Sequence, residues 1–173
     1  MPGAWILQSN AARLDVDGYL TRRETAVWGC GSYAKRIAVG DRAFLWRAAG
    51  GTKVAAGIVA RATIVTAAEH REHDAPELCR DERMPRAKLR VALRLDEVRV
   101  GAPIPRAAVK SHPEMVRHPV VTANQGCAFA LTPEQAAALD ELWEAFAPEA
   151  EEDLPPPRAG EVPPERSGMG ARS

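Results

Sequence analysis

The sequence predicts an α+β protein: a small mixed β-barrel with peripheral short helices and a C-terminal helix. Three observations lead there. Several short runs are apolar or alternate strictly, from Ala4-Trp5-Ile6-Leu7 near the start to Lys88–Val100 in the middle, and each reads as a strand. Two of these runs meet at Gly50-Gly51, a hairpin signal. No strand–helix–strand alternation is visible, and one strongly signalled helix closes the ordered part.

Each element has its own local reason. Ala4–Leu7 is a buried strand that delivers Gln8, Ser9 and Asn10 to a sheet rim. Asp15 caps a short helix through Leu20, with Val16, Tyr19 and Leu20 on one face. Ala26-Val27-Trp28 is a brief extended piece stopped by Gly29 and Gly31, and Tyr33–Ile37 is a single helical turn. Val39-Gly40-Asp41 turns the chain into Arg42–Arg47, and beyond Gly50-Gly51 the return strand occupies Lys53–Thr66. Gly57 within that run signals a bulge or a close backbone approach.

Residues 67–87 are polar, include Pro76 and Pro85, and read as a long surface loop. In Lys88–Val100, Leu89, Val91, Leu93 and Leu95 alternate with Lys88, Arg90, Arg94 and Asp96, which predicts a half-buried strand with a basic outer face. Pro103–Pro119 is irregular apart from one helical turn. Thr132-Pro133-Glu134-Gln135 opens the last helix with an N-cap Thr, Pro at the first helical position and Gln placed to close a capping box. Its apolar stripe is Ala136, Leu139, Leu142, Trp143 and Phe146.

Length and composition set the domain plan. The 173 residues suit one domain, assigned to residues 1–147. Residues 148–173 hold six prolines, six acidic and three basic residues, and too few apolar side chains to offset the entropy of ordering; they read as a disordered tail. The body upstream has 20 basic and 17 acidic residues, a modest positive balance that suits a nucleic-acid partner in weak, salt-sensitive contact. Cys30, Cys79 and Cys127 are odd in number and far apart, neither a disulfide framework nor a zinc knuckle. With no membrane span and no secretory signal, the expected location is cytoplasmic.

Four segments, in order, resemble a known family. Trp5–Asn10, Val27-Trp28, Ile37–Asp41 with Phe44–Arg47, and Asn124–Glu134 together look like the EVE domain, which is similar to YTH domains and belongs with the PUA-like barrels. The resemblance covers residues 4–146, with residues 67–87 the least matched. Ala11 stands where the family often has proline, and Cys127 where it often has threonine. The resemblance implies a barrel with a pocket at one end that receives an extruded or single-stranded modified base. A modified cytosine in DNA is favoured, with methylated adenine, DNA or RNA, as the alternative.

A base pocket needs flat walls for π-faces and polar atoms for the base edge. Trp28 is the expected wall, in the position where the resemblance places a cage tryptophan; otherwise it is a core residue. The Gly29 backbone is placed to meet the base edge. Ser9 and Asn10 supply a hydroxyl and an amide, or simply end a strand. Trp46 is either a second wall or core. Asn124 and Gln125 either read the base or bond within their loop. Arg83, Arg86, Lys88 and Arg90 are the expected phosphate contacts, set against a solvated strand face.

No cofactor is expected and no metal: the spacing of His70, His73 and Cys79 fits no four-ligand pattern. No nucleophile or phosphate-binding motif is present, so a non-enzymatic binder is expected. One alternative is a small hydrolase of modified nucleosides, for which Lys53, Thr63 and Glu69 supply residue types known from PUA-like enzymes. Another is an accessory domain whose tail recruits a protein partner such as a nuclease.

Overall fold

The computed structural model describes residues 2–123 and 126–148. Most of the predicted tail, residues 149–173, lies outside the described residues, as do Asn124 and Gln125. In chain order the elements are β1 (Ala4–Asn10), α1 (Val16–Leu20), β2 (Thr25–Gly29), β3 (Arg42–Ala48), β4 (Gly57–Ile64), β5 (Glu69–Arg71), β6 (Lys88–Val98), β7 (Ile104–Pro105), α2 (Arg106–Ser111), α3 (Pro119–Thr122), β8 (Ala128–Leu131) and α4 (Pro133–Ala145).

The strands form one mixed sheet, ordered β2-β6-β4-β3-β1-β8, with β5 added to β6 and β7 to β4. Among the described residues only the β1–β3 pair is parallel; the other strand pairs are antiparallel. The sheet curls into a half-barrel, as the PUA-like reading expects. Shifts of register in β3–β4, between Leu45 and Trp46, and in β4–β6, between Arg61 and Ala62, accompany the curl.

Strand alternation sorts the apolar residues into two cores. Trp5 and Leu7 of β1, Ala43 and Leu45 of β3, and Ala26 and Trp28 of β2 face the concave side, where Leu14, Tyr19 and Leu20 cover them. Ile6, Phe44 and Trp46 face the convex side, with Val109 of α2 and Leu139 and Trp143 of α4. Helix α4 starts with the predicted capping box, Thr132 Oγ1 accepting from Gln135 N–H while Gln135 Oε1 accepts from Thr132 N–H. Arg42 and Arg61 of the sheet reach its Asp140, and the Arg99 guanidinium lies 3.9 Å from the Trp143 ring centroid.

Several local expectations are refined. The first strand runs on through Asn10, because Gln8, Ser9 and Asn10 stay in register with Trp46, Arg47 and Ala48. The return strand begins only at Gly57, whose absent Cβ would lie 2.1 Å from the Ile104 carbonyl oxygen, so close approach of β7 explains that glycine. A tight helical turn at Gly31–Tyr33 precedes the expected turn, in which the Ile37 N–H donates to the Tyr33 carbonyl at 3.2 Å. Within 103–119, the short β7 and α2 occupy residues 104–111, and the chain between α2 and α3 stays irregular. The largest change concerns residues 67–87. They are not a free surface loop: β5 pairs with β6, and His73 and Ala75 are buried against the concave core.

Candidate functional site

The concave side leaves a cleft of about 630 Å³ at one end of the half-barrel. Three stretches converge on it: Gln8–Asn10 with Arg13 and Leu14, Val27–Gly29 with Gly31, and His70, His73, Met84 and Lys88–Arg90. Gly126 and Cys127 complete the lining. That volume lies in the range of small-molecule sites and admits a nucleobase.

Ser9 follows Trp5 and Leu7 on the concave face of β1, so alternation carries it into the cleft beyond the last apolar residue. Asn10 lines the rim, and its side-chain oxygen accepts the Ala12 N–H at 2.8 Å, shaping the turn into α1. Gly50, at φ +59°, leaves room for it: a Cβ there would sit 1.9 Å from Asn10 Oδ1. Gln8 is tied to the β8 side through its backbone N–H to Cys127 O at 2.8 Å and its side-chain amide to Gly126 O at 3.1 Å.

Trp28 forms a wall of the cleft, though only 3 % of its surface is exposed. Tyr19 flanks it, with ring centroids 6.5 Å apart. The Tyr19 hydroxyl accepts the Val27 N–H at 2.8 Å and donates to Asp74 Oδ1 at 2.7 Å, joining β2 to the segment that carries His73. Burial pushes the Tyr19 hydroxyl well above its ordinary value. Gly29 lines the cleft and has open space where its Cβ would stand.

The polar accounting around this cleft is uneven. Buried polar atoms are almost always paired, yet three side-chain atoms have no hydrogen-bond partner among the described residues: Gln8 Oε1, Trp28 Nε1 and His73 Nε2. All three residues line the cleft. The Ala75 N–H donates to His73 Nδ1 at 3.0 Å, which leaves the imidazole proton on Nε2. Burial, followed by the Arg90 charge, holds His73 below the usual imidazole value and so keeps it neutral.

Trp46 does not reach the cleft. It lies one residue out of phase with Leu45, on the convex face, 1 % exposed among Ile6, Ile58 and Trp143. Asn124 and Gln125 lie outside the described residues, although their neighbour Gly126 is at the rim. Arg83, Arg86 and Lys88 are exposed, and of the three Lys88 lines the cleft.

Arg90 departs from the expected phosphate contact. It is fully buried, and its guanidinium donates to the carbonyls of Arg71, at 2.5 Å, Arg86, at 2.9 Å, and Met84. The segment that folds over β6 covers this position, so Arg90 staples the cleft's outer wall. Arg13, unremarked in the sequence, supplies an exposed cation at the lining. Lys88 lines the cleft too; although the residue is exposed, partial desolvation of its amine, then Arg90 and Arg13, holds it below the ordinary lysine value.

Lys53, Thr63 and Glu69 do not converge on the cleft; Thr63 donates to Asp96 and Glu69 pairs with Arg71. Among the described residues no group of three or more His, Cys, Asp or Glu is placed to hold a metal ion.

The lining thus draws on the end of β1, the end of β2 and the segment before β8, which carry the resemblance noted in the sequence, together with residues from 70–90, which do not. Residues 3–142 match the family model of the EVE domain. The chain belongs to the EVE domain family. Solved structures of similar fold agree with that placement. A protein from Leishmania major has a TM-score of 0.63 at 18% identity, with 84% of this chain and 96% of that chain covered. The human THYN1 protein, in complex with DNA containing 5-methylcytosine, has a TM-score of 0.59 at 16% identity, covering 86% and 99%. The YTH domain of Zygosaccharomyces rouxii MRB1, in complex with N6-methyladenosine RNA, has a TM-score of 0.52 at 10% identity, covering 83% and 87%. At these identities the likeness is one of fold. No curated protein matches the sequence of this EVE domain.

Proposed function

We propose that this EVE domain is a nucleic-acid-binding reader that captures a flipped or single-stranded modified base in the cleft beside Trp28. A modified cytosine in DNA is the favoured ligand and methylated adenine the alternative. The observation that carries the reading is the cleft itself. It is base-sized, walled by an indole, and lined by the three residues whose buried polar atoms lack partners among the described residues. Leaving such an atom unpaired costs about 1–3 kcal/mol, a cost that a base edge bonded to it would remove. The human and yeast proteins of similar fold, bound to methylated DNA and methylated RNA, support the same reading.

Exposed Arg13, Arg83, Arg86 and Lys88 would meet the backbone phosphates on either side of the captured nucleotide. Such contacts position the strand without reading its sequence. Flipping a base from a duplex costs a few kcal/mol, so single-stranded substrates are expected to bind more tightly than duplexes of the same sequence.

Titration with matched oligonucleotides, each bearing one unmodified cytosine, 5-methylcytosine, adenine or N6-methyladenine, tests the proposal. A preference for one modified base over its parent supports it. Equal affinities across the set overturn it.

A further inference from the structure

We propose that His73 is a specificity-determining residue of the cleft, its Nε2–H acting with the Trp28 Nε1–H as a pair of fixed donors that accept cytosine-like edges and reject guanine. The inference rests on the base-binding reading above and deepens it.

His73 Nδ1 accepts the Ala75 N–H at 3.0 Å, and only an unprotonated nitrogen can do so, which places the ring proton on Nε2. The ring cannot easily turn to exchange these roles. Its side chain is 1 % exposed, and Tyr19 packs on it with ring centroids 4.6 Å apart. His73 Nε2 and Trp28 Nε1 are both buried without partners among the described residues, and both residues line the same cleft. Gln8, whose amide nitrogen is engaged by Gly126, contributes Oε1 as an unpartnered acceptor.

The unpartnered groups carried by these cleft-lining residues are thus two N–H donors and one carbonyl acceptor. A cytosine edge offers the complement, with O2 and N3 as acceptors and the exocyclic amine as donor. Guanine's pairing edge has one acceptor, O6, and two donors, N1–H and the 2-amine, so it would set donor against donor. Discrimination by mismatched, desolvated polar groups is stronger than discrimination by shape alone.

The test uses the full chain and oligonucleotides bearing one 5-methylcytosine or one guanine within an abasic tract. Two variants separate the donor from the packing: His73→Gln keeps an N–H near the position of Nε2, and His73→Met fills similar space without one. The wild-type chain and His73→Gln are expected to prefer 5-methylcytosine, and His73→Met to lose about tenfold of that preference. An unchanged ratio in folded His73→Met overturns this inference and leaves the reader function standing. Equal binding of both bases by the wild-type chain, together with failure of the modified-against-parent titration, overturns the two together. Should His73→Met not fold, long-range 1H–15N spectra of the wild-type chain decide. Protonation at Nε2, with a shift of that resonance on adding the 5-methylcytosine oligonucleotide, supports the inference, and protonation at Nδ1 overturns it.

Discussion

The Tyr19 ring lies 4.6 Å from the His73 imidazole, centroid to centroid, with the planes tilted by 50°. The same tyrosine holds the Val27 N–H and Asp74 through its hydroxyl, and Arg23 sits 4.5 Å from its ring centroid while pairing with Asp74 at 2.6 Å. One side chain from a five-residue helix thus fixes the spacing between β2, which presents Trp28, and the segment that presents His73.

Tyr19→Phe keeps the ring and deletes the hydroxyl. The buried Val27 N–H loses its acceptor, and the link to Asp74 goes with it. Stability should fall by about 1–3 kcal/mol, the cost of a stranded buried donor. Urea denaturation measures this. A variant as stable as the wild-type chain would show that the brace is not needed for folding.

Trp28→Phe probes the wall with less damage than truncation, because Trp→Ala in a core costs about 3–5 kcal/mol. Phenylalanine preserves most of the packing on Tyr19 while removing the indole N–H. Affinity for the preferred modified oligonucleotide should drop about tenfold, the order of a hydrogen bond lost with the indole N–H, and the fold should persist by circular dichroism. Unaltered affinity would remove the indole from the site.

The basic residues divide into two groups that a salt titration separates. Lys88→Ala, Arg83→Ala and Arg86→Ala should each lower the slope of log affinity against log salt, by about 0.7 on a single strand and about 0.9 on a duplex, if that residue meets a phosphate, with little effect on stability. Arg90→Met should do the reverse. It leaves carbonyls of Arg71, Met84 and Arg86 unpaired, so it lowers the denaturation midpoint without changing the salt slope of the folded fraction. A salt slope altered in Arg90→Met would reinstate it as a phosphate contact.

Residues with short-range reasons were legible in the sequence. The α4 capping box, the Asp15 cap and the Gly50-Gly51 turn follow from local hydrogen bonding and backbone freedom, and all occur where the chain predicts them. Trp28 stands out through the resemblance, which places a cage tryptophan at its position; the local residues alone read as core. Trp46 was ambiguous because β3 is buried on both faces: Ala43, Phe44, Leu45 and Trp46 all lie inside, so burial gives no sign of which side each one takes. Arg90 occupies an outward position in an alternating strand, and nothing local reveals that residues 71–86 fold over it. His73 is one of two histidines in a polar stretch without periodicity. Its importance comes from partners distant in sequence, Tyr19 and the cleft, which only the tertiary structure supplies.

Acidification should weaken the fold through two histidines. Burial lowers both His73 and His118 below the ordinary 6.5, at His73 with help from Arg90, while the Ala130 carbonyl partly opposes it at His118. The charged groups around His73 are Arg90 and Lys88 of β6, Arg23 beyond α1, and Asp74 beside it, so cations outnumber the single carboxylate. A depressed histidine binds its proton more readily in the unfolded chain, and stability then falls as pH falls. This contribution is complete above about pH 6.5 and is lost progressively below it. Protonation would also set an Nδ1–H against the Ala75 N–H that now donates there. Urea midpoints at about pH 7.5 and pH 5.5 should therefore differ, the acid value being lower. His73→Gln should shrink the difference without abolishing it, because His118 still titrates. A wild-type midpoint that holds steady or rises on acidification would mean that these imidazoles are not buried as neutral groups.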